Sequence, residues 1–220
     1  MECAGGVAAY LGAGSPLTTV KGAGPELTDS DIDGAEEFFR QCGGGKAMFE
    51  LAPWVSDDGL RRRRYEVVGS EDVVVRRPPF DAGQPAMEAA QVTAEGWPEL
   101  QLRANDAEDT SAWREIVAMC AALPGAMRFG VREGGEWIAC AEVMPAADVA
   151  IFGNDATCLP ARGRGAQTAT ILARLRAVAP LGFQRVAAEV APESTSERNY
   201  LRCGFEIAYR RTWYSRAIPR

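Results

Sequence analysis

The sequence predicts an α/β (α+β) fold in which a mixed central sheet is flanked by helices and is preceded by a partial copy of the same unit. Three observations carry this. Strand and helix periodicities alternate through residues 87–220, with a hairpin signal early and a glycine-rich strand-to-helix turn later. A helix-strand-helix-strand unit occurs twice along the chain. The composition, 47% hydrophobic and 25% charged over 220 residues, is that of a globular chain able to bury a core.

The repeat is anchored by Glu50-Leu51-Ala52-Pro53 and Glu189-Val190-Ala191-Pro192. Each follows an amphipathic helical stretch, Ala35–Arg40 in one case and Ile171–Arg176 in the other, and a glycine-containing turn. Each is followed by a short polar helix and an aromatic-led strand, Tyr65-Glu66-Val67-Val68 or Phe205-Glu206-Ile207-Ala208. The flanks keep the same register as the anchor, which a chance match of four residues does not explain. Residues 1–86 therefore read as a degenerate half domain plus linker, and 87–220 as a full domain. Met1–Lys21 looks too short to supply the strands that a full first copy needs. Arg77–Pro85, rich in Pro and Gly and without periodicity, is the expected linker.

Beyond it the pattern predicts a strand near Glu99–Arg103 and a helix from Asp109 to Ala122 capped by Asp109-Thr110-Ser111. Strands follow at Met127–Arg132 and Glu136–Val143 around the turn signal Glu133-Gly134-Gly135, and at Asp148–Cys158. The remaining elements are a helix over Gln167–Ala179, a strand Val186–Val190, a helix near Ser196–Arg202 and a last strand Phe205–Ser215. Strict alternation along the third strand puts Asp155 on a face with Ile151 and Gly153, and Asn154 on the other with Ala150 and Phe152.

The turn Arg162-Gly163-Arg164-Gly165-Ala166-Gln167-Thr168 sits between a strand and a helix. Glycines there let backbone N–H groups converge on an anion, and the helix N-terminus adds partial positive charge, so a pyrophosphate suits it. A plain strand-to-helix connection has the same composition. Further on, Ser194-Thr195-Ser196-Glu197 reads as a capping box that opens the helix leading into Tyr200-Leu201-Arg202-Cys203-Gly204-Phe205.

Together, Arg162-x-x-Gly165 and Tyr200-x-x-x-Gly204-Phe205 resemble the GNAT superfamily of acetyl-CoA-dependent N-acetyltransferases, over residues 87–220. The resemblance implies a GNAT-like, mostly antiparallel sheet and acetyl-CoA as acyl donor, with its pyrophosphate on the Arg162–Thr168 turn. It implies that Ala156-Thr157-Cys158-Leu159 splays from its neighbour and pairs with the pantetheine arm and that Tyr200 protonates the departing thiolate, core packing being the alternative role for a helix aromatic that faces a sheet. Asn199, one residue earlier, is placed either to touch that arm or to lie exposed on its helix. The acceptor is an amine, on a small molecule or a peptide, that attacks the thioester directly in a ternary complex. Strand carboxylates Glu142 and Asp155 are the candidate bases, ahead of Glu189.

Two departures stand out. Gln167 occupies a position that is Gly or Ala in the family, and Pro160 falls one residue late. In the first copy the equivalent stretch, Ala23-Gly24-Pro25-Glu26-Leu27-Thr28, lacks the arginine and carries Glu26, so that half is not expected to bind CoA. An inactive acyl-CoA-binding or protein-interaction module is the alternative these departures allow. An unpaired sheet edge in the half domain also admits a homodimer.

Composition excludes several chemistries. The chain has no histidine, which removes Ser-His-Asp and Cys-His catalysis. Its six cysteines are scattered without a C-x-x-C pair, so no metal site and no disulfide framework is expected, and Cys158 and Cys203 near the motifs have no activating histidine. A net charge of −6 offers no footprint for nucleic acid or an anionic membrane, and Arg61–Arg64 reads as the solvated end of a helix. The opening residues lack a basic leader and no apolar stretch is long enough to span a bilayer, so the expected location is the cytoplasm.

Overall fold

The computed structural model describes residues 1–12, 15, 17–105 and 111–219. The chain divides into two compact units, Met1–Asp72 with Tyr209–Arg220, and Val73–Ala208.

In the first unit the chain runs β1 (Glu2–Cys3), β2 (Gly6–Ala9), β3 (Thr19–Lys21), α1 (Asp29–Gln41), β4 (Lys46–Leu51), α2 (Asp58–Arg62) and into β5 (Glu66–Arg76). Met1–Lys21, expected to be too short for the strands of a full copy, supplies three short strands. Strands of two to four residues are too brief to show periodicity in the sequence. Helix α1 starts where Thr28 accepts a hydrogen bond from the Asp31 N–H and Asp31 bonds back to Thr28, a reciprocal cap. Its buried face, Ile32, Ala35, Glu36 and Phe39, has helical spacing and packs on Phe49 and Tyr65. Each such apolar side chain removed from water contributes about 1.5–3 kcal/mol. Arg61, Arg62 and Arg63 pair with Asp57, Asp29 and Asp33, so this basic run is largely neutralised within its own unit.

The second unit continues with β6 (Ala89–Gln91), α3 (Trp97–Asn105), α4 (Ser111–Ala121), β7 (Met127–Glu133), β8 (Glu136–Ala146), β9 (Val149–Thr157), α5 (Ala166–Val178), β10 (Arg185–Val190), α6 (Thr195–Arg202) and β11 (Glu206–Ala217). The segment expected as a strand, Glu99–Arg103, is helical. Its Leu100-x-Leu102 alternation mimics a strand, but four of the five buried residues, Trp97, Leu100, Gln101 and Ala104, fall at helical spacing and Pro98 sits in the first turn, where its missing N–H costs nothing. The expected cap Asp109-Thr110 lies outside the described residues.

Both units hold a mixed, mostly antiparallel sheet flanked by helices. In the first the strand order is β1-β2-β3-β4-β11, antiparallel except for the parallel pair β3/β4. In the second it is β10-β9-β8-β7-β6, antiparallel except for β9/β10. The order α1-β4-α2-β5 is the same as that of α5-β10-α6-β11. Strands β5 and β11 each begin in one unit and end in the other. Among the described residues no helix is long and apolar enough to cross a membrane.

Candidate active site

The parallel pairing of β9 with β10 runs from Val149/Arg185 to Phe152/Ala188 and stops there, although β9 continues to Thr157 and β10 to Val190. The two strands therefore part at their carboxyl ends. Beyond this point the Cys158 N–H still donates to Ile138 on β8, at 2.9 Å. Alternation along the strand then turns the N–H and C=O of Thr157 toward the open side, where its carbonyl accepts from Arg162 Nε at 3.0 Å.

A cleft of about 690 Å³ opens on this parting. Its walls are the free end of β9, the turn into α5, the first turns of α6 and the end of α3. The turn is glycine-dependent: Gly163 and Gly165 have φ of +74° and +90°, and a side chain at Gly163 would project into open space. Gly165 caps α5 with no side chain, so the first N–H groups of the helix face the cleft without an intrahelical partner. Arg162 and Arg202 add positive charge to the walls. Turn, helix N-terminus and arginines give this end of the cleft a basic character, complementary to an anion.

Of the residues singled out in the sequence, Ala156, Thr157, Arg162, Gly163, Gly165, Ala166, Gln167, Thr168, Asn199 and Asp155 line the cleft. Cys158, Leu159 and Arg164 do not. Arg164 is turned away into an ion pair with Glu133, and Leu159 is exposed on a short 3-10 turn.

Asp155 is not where strict alternation puts it. β8 and β9 slip register between Cys140/Ala156 and Glu142/Gly153, which places two residues of β9 opposite one of β8, and Asn154 takes a left-handed φ of +54°. Such a bulge reverses the facing of everything beyond it. Asp155 therefore joins Phe152 on the α5 face, and Asn154 reaches the opposite one, where its amide donates to Glu142 at 2.6 Å.

The two candidate bases are thereby separated. Glu142 is fully buried, in an ion pair with Arg128 at 3.1 Å, and its neighbour Cys140 packs on Trp97 and Leu100 of α3. Burial pushes its carboxyl above the usual carboxylate range, with Asn154 and Arg128 opposing. Glu142 does not reach the cleft. Glu189 is exposed on β10, unlike its buried repeat partner Glu50. Among the described residues Asp155 is the one carboxylate on the cleft wall.

Asp155 is held from three directions. Arg174 Nη2 pairs with Oδ1 at 2.7 Å, and the Tyr200 hydroxyl donates to Oδ2 at 2.7 Å. Gln167 Nε2 donates to the same Oδ2 at 3.2 Å. Arg174 is wholly buried, and it also donates to the Tyr200 hydroxyl, to the carbonyls of Glu142 and Thr170, and stacks on Phe152 at 4.4 Å. It was missed in the sequence although its position signals it: it falls among Ile171, Leu172, Leu175 and Val178, a charge on an otherwise apolar helix face. Tyr200 is 1% exposed, packs edge-on against Phe205, and is not on the cleft wall. Desolvation drives its phenol pKa well above 10, so it stays protonated and spends its proton on Asp155.

Solved structures share this chain's overall fold. The chain superposes on a GCN5-related N-acetyltransferase from Sphaerobacter thermophilus with a TM-score of 0.68 at 15% identity, over 87% of this chain and 68% of that one. The chain has the GCN5-related N-acetyltransferase fold. A second such protein, from Kribbella flavida, matches with a TM-score of 0.67 at 18% identity, over 88% and 76% of the two chains. A tandem GNAT protein from the clavulanic acid biosynthesis pathway matches with 0.67 at 13%, over 87% and 70%. No family model and no curated protein sequence matches the chain. In this N-acetyltransferase fold the glycine turn and the parting of β9 from β10 lie within the second unit.

Proposed function

We propose that the protein is an N-acyltransferase that moves an acetyl group from acetyl-CoA to an amine, using the cleft of the second unit. The observation that carries this reading is the meeting of the Gly163/Gly165 turn and the uncapped start of α5 with the free edge of β9. Pyrophosphate takes the turn, and the pantetheine arm pairs with the Thr157 backbone edge. The amine nitrogen attacks the thioester carbon, the C–O electrons are held by a backbone N–H of β9, and the C–S bond then breaks to release the thiolate. Asp155 receives the proton the amine loses. Tyr200, read in the sequence as the thiolate's acid, acts instead as a positioning residue for Asp155, because its hydroxyl is buried and committed to that carboxylate. The acceptor is a small-molecule or peptide amine.

The likeness to a tandem protein and the matching element order support reading the first half as a degenerate copy. There the helix N-terminus is occupied by its own Thr28–Asp31 cap, which leaves no place for a phosphate.

The test is calorimetric titration with acetyl-CoA of the wild type and of an Arg162→Glu, Gly165→Glu double variant whose folding is verified by circular dichroism. Binding that the double variant loses, followed by thiol release with members of an amine panel, is the expected result. Absence of binding at millimolar acetyl-CoA refutes the reading.

A further inference from the structure

Gln167 stands where the family pattern has Gly or Ala, and its side chain does not lie idle. Nε2 donates to Asp155 Oδ2 at 3.2 Å and to Ser196 Oγ at 2.8 Å, while Oε1 accepts from Asn199 Nδ2 at 2.7 Å. Asp155 accepts only, so the amide orientation is fixed: its NH₂ must face the carboxylate. Both N–H groups and the oxygen are thus engaged, from β9 on one side to α6 on the other. The side chain is a bar across the cleft at the place where β9 and β10 have parted. Asp155, Gln167, Ser196 and Asn199 all line the same space.

A ligand that keeps its phosphates on the turn and lays an arm along Thr157 has to pass between β9 and α6. We propose that Gln167 bars this passage, so that the arm of a CoA thioester enters only when the bar swings aside, while a nucleotide phosphate without an arm binds with the bar in place. This rests on the acyl-CoA reading above. Breaking the bar's hydrogen bonds opposes binding of the armed ligand alone, since those bonds are intact in the free protein and in the complex with the armless one. Removing the bar therefore tightens one ligand and not the other.

Calorimetry with CoA and with 3′-phosphoadenosine 5′-diphosphate, which keeps the pyrophosphate but has no pantetheine, separates the two. Wild type, Gln167→Ala and Ser196→Ala are compared. Gln167→Ala is expected to bind CoA about tenfold more tightly, with its affinity for 3′-phosphoadenosine 5′-diphosphate changed by less than about twofold. Ser196→Ala, which keeps Gln167 but frees one end of the bar, is expected to fall between wild type and Gln167→Ala for CoA. Weaker CoA binding by Gln167→Ala overturns the proposal, because Gln167 is then a ligand of CoA. Equal tightening of both ligands, or Ser196→Ala behaving as wild type, overturns it as well. If neither binds CoA, both this proposal and the acyl-CoA reading fail, whereas wild-type CoA binding unchanged by Gln167→Ala sinks this proposal alone.

Discussion

Arg174→Met removes the one fully buried cation next to Asp155 and should be among the most destabilising single changes in the second unit. The guanidinium donates to the Thr170 carbonyl at 3.2 Å, the Glu142 carbonyl at 3.1 Å, the Tyr200 hydroxyl at 3.1 Å and Asp155 at 2.7 Å. Methionine fills much of the volume but donates nothing, so a mostly buried carboxylate loses its counter-charge and two carbonyls lose a donor. Breaking one side of a buried ion pair costs about 3–5 kcal/mol, and each stranded buried acceptor adds about 1–3 kcal/mol before relaxation. A loss of at least ~3 kcal/mol is therefore expected in urea unfolding followed by circular dichroism. Exchanging both members for apolar residues, Arg174→Met with Asp155→Leu, should recover at least ~2 kcal/mol of that, because no unpaired charge is left behind. A single-variant loss below about 1 kcal/mol, or a double variant no better than the single, would show that the Arg174–Asp155 pair does not hold this part of the unit together.

Three further outcomes follow from the same geometry. Asp155→Asn should lower kcat by at least about 100-fold, whereas Tyr200→Phe should lower it by roughly tenfold with KM for acetyl-CoA unchanged, read by thiol release; a Tyr200→Phe loss as deep as that of Asp155→Asn would return the acid role to the tyrosine. Tyr214→Phe removes the hydrogen bond that is the main reason the Asp57 carboxyl lies below 3.8. A depressed carboxylate adds stability above its unfolded pKa and loses it as pH falls through the folded one, so the variant should be about 1–2 kcal/mol less stable at pH 7, the gap closing below about pH 4 in thermal melts. Gly165→Ala meets nothing nearer than Ala86 Cβ at 4.0 Å, yet its φ of +90° should cost about 1–2 kcal/mol in the same melts, and an unchanged midpoint would argue against the turn geometry.

Where local chemistry dictates local structure, the sequence was a sufficient guide. The Gly134-Gly135 hairpin, the Ser194 cap, the glycine turn into α5 and the strand-helix order from β7 onward all follow from residue types at fixed offsets. Tertiary context decides the rest. Nothing in Gly153-Asn154-Asp155 announces a bulge, and period-two counting runs through it and assigns Asp155 to the wrong face. Tyr200 occupies the family motif, yet whether a helix aims a phenol at a cleft or at a buried arginine depends on what the facing helix brings, and Arg174 comes from α5. Leu100 and Leu102 show the other failure: a short run fits both periods until the rest of the helix face is counted.

The passage of β5 and β11 from one unit to the other bears on how such a gene can change. Val74, at the end of β5, is buried with Val186 and Val190 in the core of the second unit, while Tyr214, late in β11, packs in the core of the first. A truncation at Ala208 would strip β4 of its six-residue partner, and one that discards the start of the chain through Arg76 would take an apolar strand end from the unit that holds the cleft. Deleting the first 76 residues would therefore cost the second unit a strand end that it buries, so the two halves of this chain are not separable at a simple boundary.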